Sequence, residues 1–249
     1  CLLSPGAAGG RGVLPVQTPN PKMAHTPITQ IEIAGPSGAV NSPAARAAAK
    51  QLGYLYVDTG AMYRAIGCRL RAMGVSQNEE EEVARALEGL KLTLSFEGGD
   101  QHVFVNGEDM TGVIRTPDAS RAASDFSKLP CVRQFLFRLQ QDLGREQDVV
   151  MDGRDIGTVV LPWAQTKIFL TASAEERARR RFLELKARGQ DVSYEQILSD
   201  VRWRDEQDST RETAPLRQAE DAVLLDSTGL SLEQVVARIV ALAGEGEDA

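Results

Sequence analysis

Sulfur and imidazole are scarce in this chain: of 249 residues, three are cysteine and two are histidine. Cys1, Cys68 and Cys131 are odd in number and lack metal-ligand spacing. They support neither a disulfide framework nor a zinc site, and they are expected to be free thiols of a reduced, cytoplasmic protein. His25 and His102 are given no chemistry. No apolar run approaches the roughly 18 residues of a membrane span, so no membrane partner is expected. Excess positive charge is lacking too. A net charge of −7 gives no general attraction to nucleic acid or to anionic lipid.

What is present is ordinary for a globular protein, with 42% hydrophobic and 25% charged residues. The length suits one domain with an insertion, or two small ones. Residues 1–22 are rich in Gly, Pro and Ala without periodicity, and are expected to be a disordered or spurious tail. Met23 is read as the start of a domain over residues 23–249.

Short apolar runs alternate with helical patterns, which predicts a parallel sheet with crossover helices. The expected strands are Ile28–Ile33, Leu55–Val57, Val149–Met151, Ile168–Leu170 and Val223–Leu225. Between Lys91 and Thr116 the period changes to strict alternation around Glu97-Gly98-Gly99-Asp100, predicting an inserted antiparallel hairpin. Helices near Pro117–Asp125 and Cys131–Leu143 are expected to support it. Ser231 and Gln234 form a capping box for a last, structural helix. The acidic run Asn78–Glu82 reads as a solvated helix start.

After the first strand stands Gly35-Pro36-Ser37-Gly38-Ala39-Val40-Asn41-Ser42-Pro43, in the strand–loop–helix context of a phosphate-binding loop. The pattern G-x-x-x-x-G-K-[ST] is met at Gly35 and Ser42, but Val40 replaces the second glycine and Asn41 the lysine. Arginines and acids recur at the ends of later strands. Asp58, Thr59, Tyr63 and Arg64 follow the second, and Arg154 and Asp155 follow the third. Glu176–Arg181 and Arg204–Arg211 lie on expected helices. For an isolated arginine a surface ion pair would win. Several guanidinium groups converging on one cleft instead call for anionic ligands, since arginine holds phosphate bidentately. A nucleic-acid surface fits poorly, because the net charge is negative and no aromatic platform accompanies the Arg177–Arg181 helix.

From about Thr29 to Leu242 the chain resembles the bacterial cytidylate kinases, nucleoside monophosphate kinases of the phosphate-loop class. The resemblance rests on Val57–Arg64, Asp152–Thr158, Arg204-Asp205 with Asp208-Ser209 and Arg211, Ala214-Pro215-Leu216, and Leu225–Thr228. It implies a three-layer α/β fold with a β-rich monophosphate-binding insert, here residues 90–145, and a helical lid, here 174–213. It implies transfer of the ATP γ-phosphoryl group to CMP or dCMP, with Mg²⁺ brought in with ATP and Ser42 as its loop ligand, by a monomer. Ser37, Arg64 and Arg154 match residues that hold the monophosphate. Arg204 and Asp208 match those near the pentose, and Arg211 another phosphate-side arginine. Ser124, Arg133 and Asp155 match the cytosine readers, which is sound chemistry because a carboxylate accepts from the N4 amino group of cytosine but faces an acceptor in uracil. Arg180 and Arg181 match lid arginines; with Arg154 and Arg204 they are the catalytic candidates. Shikimate and thymidylate kinases share loop and fold, so the cytosine-reading set is what discriminates.

The family loop reads roughly D-G-P-[SA]-G-[AS]-G-K-[SG]-T. Here Ala34, Val40, Asn41 and Pro43 depart from it. Val40 is β-branched where the backbone approaches phosphate, Asn41 removes a cation, and Pro43 removes an N–H. Impaired turnover with near-normal CMP binding is expected. Three explanations stay open: a kinase gene whose sequence is in error at this loop, a pseudokinase that binds CMP, or ATP bound by another route.

Overall fold

Apolar alternation becomes two sheets in the computed structural model, which describes residues 28–247; residues 1–22 and His25 lie outside the described residues. In chain order the elements are β1 (Gln30–Ala34), α1 (Asn41–Leu52), β2 (Leu55–Asp58), α2 (Thr59–Ala72), α3 (Glu80–Glu88), β3 (Leu92–Glu97), β4 (Asp100–Val105) and β5 (Glu108–Asp109). Then come α4 (Pro117–Phe126), α5 (Pro130–Glu146), β6 (Val149–Gly153), β7 (Thr166–Thr171), α6 (Ala174–Ala187), α7 (Tyr194–Thr210), β8 (Val223–Asp226) and α8 (Leu232–Glu247).

The larger sheet has five strands in the order β2-β6-β1-β7-β8. All four pairings are parallel. Strand alternation sorts its side chains onto two faces. Ile31, Ile33, Tyr56, Val150, Ile168 and Leu170 pack with α1 and α8, where Ala44, Ala48, Val235 and Ile239 meet them. Val57, Val149 and Met151 pack on the other face with Met62, Ile66 and Leu136 of α2 and α5. The result is the three-layer α/β architecture expected. The chain leaves β1 toward β2 on one side and later reaches β7 on the other. Ligands of such sheets lie at that switch point, beyond the strands' carboxyl ends.

The hairpin expected from Lys91 to Thr116 is present as the small antiparallel sheet β3-β4-β5. Its Val103 and Val105 join the same core as α2 and α5. Thr116 caps α4, with Pro117 in its first turn. Helices α6 and α7 form a separate hairpin around Ala178, Leu185 and Ile197. The capping box of α8 is formed, with the Ser231 N–H donating to Gln234 Oε1 at 2.9 Å and the Gln234 N–H to Ser231 Oγ at 3.3 Å.

Candidate functional site

The loop after β1 is shaped by close backbone approach. A Cβ on Gly35 would sit 2.0 Å from the Leu170 carbonyl oxygen, so only glycine fits. Gly38 has φ +84, and a Cβ there would lie 3.2 Å from Cβ of Arg177. At the next bend Val40, at φ 62 and ψ 21, caps α1 in the left-handed region and supplies no side-chain cap. That region is disfavoured for any residue with a Cβ, and most of all for a β-branched one. Asn41 is 6% exposed, and neither atom of its amide has a hydrogen-bond partner. Its Nδ2 lies 2.9 Å from where a Gly35 Cβ would be, so the amide lies back against the loop. Pro43 occupies the first turn of α1 and is exposed. Ser42 Oγ donates to Asp152 Oδ2 at 2.6 Å, joining the loop to the end of β6.

Asp152 is a residue to which the sequence reading gave no role. It is buried, and burial, with the nearby Asp58 charge, pushes its carboxyl up to about 7 against the opposing pull of Ser42, Arg154 and Tyr56. An acid at the end of the third apolar run was the available signal. The Thr59 hydroxyl donates to the Asp152 carbonyl at 2.7 Å. Asp58 Oδ1 caps α2 by accepting from the Ala61 N–H at 2.8 Å, while Oδ2 accepts from Arg64 at 2.8 Å.

Arginines converge on the space these elements enclose. Arg154 donates through Nε to Asp208 at 2.8 Å. Arg204 has no ion-pair partner among the described residues, and its Nε has no hydrogen-bond partner. Burial and the neighbouring charges of Arg154, Arg64 and Arg181, opposed by Asp208, pull its guanidinium down to about 10. Arg64 and Arg154 each have an aspartate partner, so Arg204 is the cation of this group left without an ion pair among the described residues.

Farther along lies a second group. Arg133 and Asp155 form an ion pair with side chains 9% and 5% exposed. Arg211 stands 3.7 Å from the same carboxylate, and the Arg133 guanidinium carbon 5.5 Å from the centre of the Tyr63 ring. Burial pushes the Tyr63 phenol up to about 12, so it stays protonated. Arg133 also donates to the Ser127 carbonyl at 3.3 Å, and the Ser127 hydroxyl to the Ser124 carbonyl at 3.4 Å, which puts buried Ser124 on the adjoining turn. Arg211 is held by its Nε bond to the Ala214 carbonyl at 2.7 Å, with Ala214 at φ 49.

The α6–α7 hairpin reaches the loop through Arg177, which the sequence reading treated only as part of a charged run. It is 4% exposed, donates to the Ser37 carbonyl at 3.1 Å, and grips Asp205 of α7 at 2.9 and 2.6 Å. Arg180 instead donates to the Ser227 carbonyl at 2.6 Å and to Glu176 at 2.8 Å. Arg181 pairs with Glu184 at 2.7 Å on a half-exposed face. Beneath the site, Glu32 is buried against Gly157, and burial raises its carboxyl to about 8 despite the attraction of Lys167.

The family model for cytidylate kinase matches residues 31–245. The chain is 50% identical over 212 residues to the cytidylate kinase of Caldicellulosiruptor saccharolyticus, covering 85% of this chain and 94% of that one. It is 48% identical over 219 residues to the cytidylate kinase of Carboxydothermus hydrogenoformans, covering 88% and 99%. With the cytidylate kinase of Geobacter sulfurreducens it shares 47% identity over 219 residues, covering 88% and 94%.

Proposed function

The chain belongs to the cytidylate kinase family, and from that premise we propose that it binds CMP or dCMP in the arginine-lined cleft, while its altered loop strongly reduces phosphoryl transfer from ATP. The observation that carries the acceptor half is the meeting of two charged groups at Asp208, which binds Arg154 and whose charge is felt by Arg204, Arg211 and Arg133. At one end Arg64 and Arg154, each held by an aspartate, stand with Arg204, which has no ion-pair partner among the described residues, and the buried Arg133–Asp155 pair closes the other. A nucleoside monophosphate has that polarity, an anion at one end and a hydrogen-bonding base at the other. The Asp155 carboxylate accepts from the N4 amino group of cytosine and repels O4 of uracil. Asp208, paired with Arg154, faces the pentose between them.

Mg²⁺ enters as part of the ATP substrate. Ser42 and Asp152 fit it, because Mg²⁺ takes few protein oxygens and completes its shell from phosphate and water. Burial and the Asp58 charge hold the Asp152 carboxyl high, and a bound cation would favour its ionised form. When bound, the ion neutralises charge on the transferring phosphoryl group. Arg181, near enough for its charge to be felt at Arg204, is the residue we assign to adding positive charge when the lid closes and excludes water.

The reduced transfer follows from the loop. Asn41 is neutral, short and folded against Gly35, so the position where the family has lysine brings no charge to the β- and γ-phosphates. Losing one such donor costs about 10²–10³ in rate. Carried to its limit, the same observation favours a second reading, a CMP-binding protein without kinase activity.

Calorimetric titration with CMP, then with Mg-ATP, tests both readings beside a V40G/N41K/P43T variant. CMP binding by both chains, with ATP binding and turnover restored only in the variant, is the expected result. Ordinary kinase rates from the unaltered chain would overturn the reduced-transfer reading, and failure to bind CMP would overturn the acceptor assignment.

A further inference from the structure

Strand β2 is an edge of the larger sheet, so one side of its backbone is left without a strand partner. At Asp58 that side is satisfied from the insert. Gln101, the second residue of β4, is 6% exposed. Its Oε1 accepts from the Asp58 N–H at 2.9 Å, and its Nε2 donates to the Asp58 carbonyl at 3.1 Å. One carboxamide thus pairs with one residue as a neighbouring strand's peptide group would. Beside it, Asp100 forms an exposed ion pair with Arg46 of α1.

Asp58 is more than a strand end. Its side chain caps α2 and holds Arg64, with both side chains about one-fifth exposed, at 18% and 23%. Arg64 needs that hold, because it stands in the field of Arg204. Like charges in a shared cleft separate unless a counter-charge fixes each of them. The carboxylate can fix Arg64 only if the backbone carrying it is itself fixed, and Gln101 supplies both backbone bonds at that residue.

We propose that Gln101 is a positioning residue for the monophosphate: the insert's β4 sets Asp58, and through Asp58 it sets Arg64. The proposal rests on the reading that CMP places its phosphate at Arg64. It differs from simple packing in one respect. Gln101 acts on the phosphate end of the ligand and leaves the base end, at Arg133 and Asp155, untouched.

The test is calorimetric titration of the unaltered chain, Q101M and Q101E with CMP and with cytidine, together with Q101M in an R64A background. Q101M keeps the volume and removes both bonds. Q101E keeps the acceptor for the Asp58 N–H and sets a second acceptor against the Asp58 carbonyl, so it carries the test if Q101M fails to fold. Each variant is expected to bind CMP about tenfold more weakly, the equivalent of one loosened charged hydrogen bond. Cytidine binding stays unchanged, and Q101M adds nothing once Arg64 is gone. Equal weakening of CMP and cytidine, a full effect persisting in the R64A background, or unaltered CMP binding would each overturn the proposal. If the unaltered chain bound no CMP, the functional reading itself would fall, which is a distinguishable result.

Discussion

Replacing Val40 by glycine is expected to stabilise the fold without restoring catalysis. Val40 holds φ 62 and ψ 21 with a β-branched side chain, a conformation that disfavours an L-residue by about 1–2 kcal/mol. Its side chain is half-buried and is not part of the core packed between α1, α8 and the sheet, so little apolar contact is lost on removing it. Against the relief stands the extra freedom of glycine in the unfolded chain, worth roughly 0.5–1 kcal/mol. The net gain is about 0.5–1 kcal/mol. In urea this moves the unfolding midpoint up by about 0.3 M with the slope unchanged, since slopes for small proteins run about 1–3 kcal/mol per M. Gly38→Ala is the opposing control. At φ +84, with Arg177 Cβ 3.2 Å from the new methyl group, it is expected to lower the midpoint. Turnover of V40G stays low, because Asn41 still brings no charge to the phosphates. A midpoint that falls for V40G would refute the strain argument, and kinase activity recovered by V40G alone would refute the weight placed on Asn41.

Asp155→Asn is expected to erase much of the preference for CMP over UMP, since an amide can turn its N–H₂ toward O4; competitive binding of the two nucleotides measures it. The same change leaves Arg133 buried without its counter-charge and lowers stability by roughly 3 kcal/mol, read by urea unfolding. Glu32→Gln should alter the pH dependence of stability. The folded carboxyl, near 8, lies above its ordinary value of 4.5, so the folded state binds the proton more tightly. That contribution is fully present below about pH 4.5 and is lost as pH rises through 8, at about 1.4 kcal/mol per unit. The groups facing Glu32 are Lys167, which opposes the shift, and Asp221, which adds to it. The advantage of E32Q over the unaltered chain therefore grows from pH 5 to pH 8, and a difference that stays flat across that range refutes the assignment. Asp152, raised in the same sense, leaves a residual slope in both proteins that cancels in the comparison.

The sheet was legible because its strands are short apolar runs and its helices carry their own caps, signals that lie within ten or so residues. The residues proposed for the acceptor side could be picked out for a related reason, since Asp58–Arg64 and Arg154–Asp155 are contiguous stretches. Contacts that span the chain were not. Arg177 reaches Ser37 across 140 positions, Ser42 reaches Asp152 across 110, and Gln101 reaches Asp58 across 43. Nothing in the local composition of Gln101 or Arg177 marks them, since each reads as an ordinary polar residue of a strand or a charged helix. The burial of Glu32 was hidden likewise, because a strand period says which side a residue faces but not what covers it.

Those long-range contacts also bear on how far the altered loop can disturb the rest of the site. The acceptor end is held by pairs internal to itself: Asp58 with Arg64, Arg154 with Asp208, Arg133 with Asp155. None passes through Val40, Asn41 or Pro43. The loop joins that end through the Ser42–Asp152 bond and joins the lid through Ser37 and Arg177, and both of those contacts are made. Val40, Asn41 and Pro43 therefore add strain and bring no charge to the loop, while leaving in place every one of the pairs proposed to hold CMP. On the proposed reading the donor half would fail without taking the acceptor half with it, which is why binding of CMP and turnover of ATP have to be measured separately.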